Sequence, residues 1–274
     1  MSSVIKALGA LFLILITVLV VTPFLWMIVT SLQPDSAAVL SRPFHVPFPP
    51  AFSNYVKAMQ VEPFGIYAVN SVVTAVAATA LQLVTAILAA YAFTYLHFPG
   101  KNFLFLLVLA VLMMPTQVAI IPLYSMISKL GWLDTFKALI IPFAVDAYGV
   151  FLVKQHFQSI PKDYVEAAKI EGAGHLRIAF VIMTNLAKPS LIAYAIMAFK
   201  WRWNDYFWVL IMTSSVNRRT LPVGIVMMKE VSDGGTQWHL LMAATLVVLA
   251  PMIILYLSMQ KYFTQDYLKG GVKG

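Results

Sequence analysis

Asp146, Lys200, Arg202 and Asp205 stand inside long apolar runs. An ionised side chain in such a place is costly and marks a functional position by default. Asp146 has two readings: it lines a translocation path, or it caps a broken helix beside Gly149. Gln117 lies between Pro115 and Pro122, which disturb any helix around it, and is a candidate for the same path. The stretch from Lys200 to Trp208 is the densest. On a continuous helix advancing ~100° per residue, Lys200, Trp201, Asn204, Phe207 and Trp208 share one face. Aromatic rings can stack on the apolar face of a sugar ring, and an asparagine amide can both donate to and accept from hydroxyls. Arg202 and Asp205, at i,i+3, pair with each other. Lys200 is left as a positive group suited to a solute with a phosphate, a carboxylate or many hydroxyls. The alternative is that the aromatic stretch packs against neighbouring helices.

Other chemistry is missing. The chain has no cysteine, which excludes disulfides, thiolate metal sites and a cysteine nucleophile. No G-x-x-x-x-G-K-[ST] phosphate loop occurs, so the chain is not an ATPase, and no HExxH or other metal-ligand spacing is present. His45, His97, His156, His175 and His239 are isolated in sequence and read as interfacial or solvated. No nucleophile–base pair supports an enzyme.

The elements that hold these residues belong in lipid. Of 274 residues, 61% are hydrophobic and 11% charged, with mean hydropathy +0.82. A soluble domain carries ~25% charged residues. The net charge of +8 does not point to nucleic acid, because the basic residues are scattered and several flank apolar runs as topology signals. Apolar runs long enough for spanning helices fall at residues 8–32, 70–96, 103–127, 136–157, 186–213 and 239–260. The expected fold is all-α, with six transmembrane helices. The second run is rich in small residues, which permit close helix approach. Residues 33–69 are proline-rich and form a loop with a short surface helix near 53–59. The lysine and arginine bias over the loops places both termini and residues 158–185 in the cytoplasm, and residues 33–69 and 214–238 outside.

One polar segment has a pattern of its own: Ile160-Pro161-Lys162-Asp163-Tyr164-Val165-Glu166-Ala167-Ala168-Lys169-Ile170-Glu171-Gly172-Ala173. Pro161 and Asp163 suit a helix start. The alanine pair gives a flat surface, and Gly172 can end the helix through positive φ. Such a helix either docks in a partner's cleft or lies solvated on the membrane surface.

Glu166-Ala167-Ala168, followed by Gly172-Ala173, Phe180, Ile182 and Pro189, with Glu171 just before the glycine, resembles the EAA loop of ABC importer permeases. Where that pattern has Leu-Pro, this chain has Thr184-Asn185. Trp203-Asn204-Asp205-Tyr206-Phe207-Trp208 and Arg219-Thr220-Leu221-Pro222-Val223-Gly224 are similar to motifs of the sugar-importing branch. The ending Gln260-Lys261-Tyr262-Phe263, then Lys269-Gly270-Gly271-Val272-Lys273-Gly274, is similar to its C-terminal signature. The resemblance covers nearly all of the chain and is to the shorter permease of the maltose-transporter type.

It implies a type I importer permease fold in the inner membrane. Residues 1–69 hold the first span and external loop, 70–262 the core permease domain with its coupling segment at 161–178, and 263–274 a cytoplasmic tail. It implies that Glu166, Ala167, Ala168, Glu171, Gly172 and Ala173 form the ATPase contact. The implied partners are a second homologous permease, two ATPase subunits that bind ATP and Mg, and an external solute-binding protein. The implied cargo is a sugar or sugar-like solute, or alternatively a glycerol phosphate or acidic saccharide. An ion-coupled secondary transporter is the competing class, but such proteins often carry inverted repeats and the halves here show none.

Overall fold

The computed structural model describes residues 2–42, 44–230 and 235–270, whose regular elements are all helical. In chain order these are α1 (Ser2–Ser31), α2 (Ser36–Ser41), α3 (Ser53–Val61), α4 (Phe64–Tyr95), α5 (Lys101–Leu112), α6 (Ile120–Lys129), α7 (Phe136–Ile140) and α8 (Ala147–Ser159). There follow α9 (Asp163–Ile170), α10 (His175–Arg177), α11 (Thr184–Leu186), α12 (Lys188–Trp203), α13 (Phe207–Met212), α14 (Leu221–Glu230) and α15 (Trp238–Gly270). A π-helical stretch, Ile178–Met183, joins α10 to α11. The expected tail is helical as far as Gly270; its last four residues, and residues 231–234 of the expected 214–238 loop, lie outside the described residues.

Among the described residues, Ile5–Ser31, Phe64–Tyr95, Phe136–Ser159 and Trp238–Met259 are each long and apolar enough to cross a membrane. Two bent pairs, Lys101–Leu112 with Gln117–Lys129 and His175–Leu186 with Lys188–Trp203, qualify when each counts as one span, which gives six. The two pairs are bent by 94° and 91°, and the second corrects an expectation: the fifth span, expected at 186–213, is drawn from residues 175–203 and so takes in part of the segment 158–185 expected in the cytoplasm. At the first, Pro115 is extended (φ −60, ψ 126) and has no N–H to continue α5. At the second, the bend falls at Ala187 (φ −97, ψ 11), and Pro189 occupies the first turn of α12, where a missing N–H costs nothing. The Thr184-Asn185 pair thus precedes the bend rather than making it.

The chain divides into two compact units. The first comprises Met1–Gly65 and Leu221–Leu255. Here α1 is apolar around its whole circumference and its large side chains, such as Phe12 and Leu19, are exposed. A helix of that kind is stable only with lipid around it. The proline-rich segment after it is folded, not loose. Buried Asn54 of α3 donates to the carbonyls of Ser31 (2.9 Å) and Gln33 (2.7 Å), satisfying acceptors left over at the end of α1. The surface helix expected near 53–59 is α3.

The second unit comprises Ile66–Thr220 and Tyr256–Gly274. Its apolar core joins Ala86, Ala90 and Tyr91 of α4, Val153 and Phe157 of α8, Val165 and Ala168 of α9, and Leu191 and Tyr194 of α12. The small residues of α4 are what let these helices meet. Outside the spans, Asp134 adopts φ 58 and its Oδ1 accepts the amides of Ser214 and Ser215, both at 3.0 Å. Burial opposes its ionisation, but the two amides and the charge of Arg218 outweigh that and hold the carboxyl below the usual range.

Candidate functional site

Asp146 caps a broken helix. It is extended (φ −120, ψ 117) after the turn made by Pro142, and its carboxylate accepts the amides of Tyr148 (3.3 Å) and Gly149 (3.0 Å) at the start of α8. A third bond comes from α12: the Tyr194 hydroxyl donates to Oδ2 at 2.8 Å. Tyr194 is fully buried, and nothing in its sequence neighbourhood announced it. Gly149 makes room for its ring. A Cβ there would lie 2.7 Å from Tyr194 Cε1 and closer still to the hydroxyl end. Gly149→Ala should therefore push the ring off Asp146. Overpacking costs ~1–3 kcal/mol, and a hydrogen bond to a charged group is worth ~1.5–3 kcal/mol. The thermal midpoint of the purified protein should fall clearly, while Gly65→Ala, with open space around it, should leave it unchanged. Equal midpoints would mean that the ring has room to move.

The second break separates α12 from α13. The expected continuous helix through residues 200–208 does not form, so the one-face arrangement of Lys200, Trp201, Asn204, Phe207 and Trp208 does not hold. Asn204 instead ends α12, its Nδ2 donating to the Lys200 carbonyl at 3.0 Å. Asn and Asp side chains compete with the helical backbone in this way. Asp205 then pairs with Arg202 at 2.9 Å, as the i,i+3 spacing predicts, and accepts the Trp208 amide at 3.3 Å. The Arg202 guanidinium lies 3.5 Å from the centroid of the Phe143 ring, and its Nε is buried without a hydrogen-bond partner. Trp208 is buried against Phe143 and donates from Nε1 to the Ala138 carbonyl at 3.0 Å. Lys200, Trp201, Asn204 and Phe207 remain exposed. Gln117 lies in the 3₁₀ turn at the bend between α5 and α6.

The segment around Glu166 forms α9. Asp163 and Glu166 stand in its first turn and Lys169 in its last, matching the helix dipole. Gly172, at φ 81, ends it. The Gly172 amide donates to the Lys169 carbonyl (3.0 Å) and the Ala173 amide to the Ala168 carbonyl (2.9 Å), the paired bonds of a Schellman closure. Val165 and Ala168 are buried in the core of the second unit, while Tyr164, Glu166, Ala167, Ile170 and Leu176 are exposed. One side of α9 is therefore fixed in the core of the second unit, and the other presents an uncovered surface that mixes Tyr164, Ala167 and Ile170 with the charged Asp163, Glu166 and Lys169. Two histidines expected to be merely interfacial or solvated serve this assembly. His175 Nδ1 meets the Tyr91 hydroxyl, and His156 Nδ1 the Ser190 hydroxyl, each at 2.8 Å.

Membrane spans with broken, polar interiors and a short helix anchored beside them define a polytopic membrane protein. The family described as the binding-protein-dependent transport system inner membrane component matches residues 82–269, and the chain belongs to it. It is similar to the sn-glycerol-3-phosphate transport system permease protein UgpE of Pectobacterium atrosepticum, 36% identical over 74% of this chain and 72% of that protein. It is also similar to the probable ABC transporter permease protein YurM of Bacillus subtilis, 31% identical over 96% of this chain and 87% of that one. Among solved structures, a bacterial ABC transporter involved in the import of the acidic polysaccharide alginate superposes with a TM-score of 0.87. That match covers 95% of this chain and 97% of the other, at 23% identity. The chain is a multi-pass inner-membrane permease of an ABC importer, a transport component and not an enzyme, working with other components of its transport system.

Proposed function

We propose that the chain is one of two homologous permease subunits in a complex with two ATPase subunits, which bind ATP and Mg, and an external solute-binding protein. The cargo is a sugar or sugar-like solute. The observation that carries this reading is α9: a helix pinned to the core of the second unit by Val165 and Ala168, with Tyr164, Ala167 and Ile170 uncovered. When the ATPases close, a force on α9 passes to α4, α8 and α12 through a close-packed core that moves as a body. Glu166, Ala167, Glu171 and Gly172 are the exposed part of the expected docking segment, whereas Ala168 is buried in the core and Ala173 packs against it, so these two support the contact from beneath.

An anionic cargo, a glycerol phosphate or acidic saccharide, is a second reading. It is favoured by Lys200, which is exposed at the end of α12 and has no carboxylate partner among the described residues, whereas Arg202 has one. Both relatives and charge point the same way here: the UgpE relatives are named for glycerol 3-phosphate and the solved structure for an acidic polysaccharide.

Uptake by right-side-out vesicles containing the whole complex should require ATP inside, on the cytoplasmic side, and survive collapse of the ion gradients; uptake that follows the gradient instead would sink the proposal. Orientation is checked on the same vesicles. With no native cysteine, single substitutions report cleanly. Ser214→Cys should react with an impermeant thiol reagent from outside and Ser159→Cys from inside only, both positions being exposed. The reverse pattern would invert the topology.

A further inference from the structure

The second unit carries an apolar groove of about 400 Å³ between α4, α5 and α8, lined by Phe93, Leu104, Leu107, Val111 and Val150. Its α5 side is a stripe at helical spacing that starts one turn after Lys101. On α8, Lys154 lies one turn beyond Val150, so both lysines mark the same end of the groove. Among the described residues neither has a carboxylate partner. Lys101 Nζ donates to the carbonyls of Leu96 (2.8 Å) and Thr94 (3.4 Å), and the Lys154 ammonium sits 3.9 Å from the centroid of the Phe105 ring. Lys154 is only 8% exposed. Two cations at one end of an apolar groove, neither with a carboxylate partner and one of them nearly buried, favour an anion at that end.

We propose that this groove is a binding site for an anionic phospholipid. One acyl chain lies along Leu104, Leu107 and Val111, and the headgroup phosphate bridges the ammonium groups of Lys101 and Lys154. Basic pockets between membrane helices take anionic headgroups for the same reason: the cations gain a partner at the interface and the tail fills apolar surface. In the orientation proposed above the headgroup sits in the cytoplasmic leaflet. A neutral lipid offers the tail but not the net charge, and a helix of the partner permease would offer neither phosphate nor tail.

The test uses the assembled complex in nanodiscs of phosphatidylcholine with and without phosphatidylglycerol, the latter carrying a photoreactive acyl chain. Cross-links should map to α5 and α8. Retention of phosphatidylglycerol, read by native mass spectrometry, should fall about fivefold for Lys101→Gln, since a surface lysine contributes roughly that factor toward an anionic lipid. Lys154→Gln should lower it further where it folds. Leu107→Trp, which fills the groove without altering charge, should abolish the cross-link and serves if Lys154→Gln is unstable. Equal retention of the two lipids overturns the proposal. So does a cross-link pattern unchanged in Lys101→Gln and Leu107→Trp. If a photoreactive group at Leu107 captures the partner permease in place of lipid, the groove is a subunit interface and the proposal fails. None of these outcomes depends on the solute or on the leaflet.

Discussion

Asp205→Asn is expected to cost about 3–5 kcal/mol, the usual penalty for removing one partner of a largely buried ion pair. The substitution keeps shape and the Oδ1 acceptor for the Trp208 amide, so it isolates charge. What it leaves is the Arg202 guanidinium over the Phe143 ring, with Nε already unpartnered and Asp146 as the remaining nearby acid. Little water reaches it, for its side chain is 17% exposed. The measurement is the thermal midpoint and the yield of monodisperse protein in detergent. The double variant Arg202→Met, Asp205→Asn should recover most of the loss, because an ion pair replaced by apolar groups of similar size is often neutral. Asp205→Asn as stable as the native chain, or a double variant worse than the single, would show that the pair does not hold α12 to α13.

That pair was legible from spacing alone, and the reason is physical: i,i+3 neighbours meet on any helix, whatever lies around it. The four single spanning helices were legible for a similar reason, since lipid demands length and apolarity of each span separately, but the fifth run, expected at 186–213, was misplaced against the bent pair His175–Leu186 with Lys188–Trp203. The breaks were not legible. Asp146 could equally line a path or cap a helix, and only the extended backbone after Pro142 decides that it caps. At Asn204 the periodicity argument failed because it assumed continuity. Asn204 folds its own side chain onto the Lys200 carbonyl, and after it neither Phe207 nor Trp208 keeps its helical phase with Lys200.

Which long-range partners would meet was not legible, although Thr85, a polar residue in an apolar run, was readable as an interhelical hydrogen bonder. Tyr194 reaches Asp146 across 48 positions, and the Thr85 hydroxyl reaches the Ala144 carbonyl across 59. Both partners are set by packing between helices, for which the sequence has no periodic signal. Two partial clues were present. Gly149 near Asp146 marks a close approach, and the approaching group is the Tyr194 ring. His156 and His175 are polar groups at helix ends, and each finds a hydroxyl at 2.8 Å. Lys154 lies inside an apolar run, and only the structure shows it as a nearly buried cation.

The docking role proposed for α9 makes Ala167 and Gly172 the positions where a small change should have the largest effect on transport. Ala167 is exposed and tolerates a larger side chain as far as this chain is concerned. Ala167→Trp should therefore insert and fold normally. It should fail to fit a partner's groove, and losing only ~1.4 kcal/mol of docking energy lowers occupancy tenfold. Gly172 tests the same contact from within the chain. At φ 81 a residue with a side chain is strained by roughly 1–2 kcal/mol, and a β-branched one by more. Gly172→Val should open the Schellman closure, free the carbonyls of Ala168 and Lys169, and turn α9 away from the core that Val165 and Ala168 enter. Uptake should fall about tenfold or more in both variants, with membrane insertion and the thermal midpoint of Ala167→Trp unchanged. Co-purification with the ATPase separates the two causes: Ala167→Trp should lose the ATPase, and Gly172→Val should keep a reduced amount of it. Both variants transporting normally with a full complement of ATPase would place the partner's contact elsewhere on the chain, and the uncovered side of α9 would then be a solvated surface.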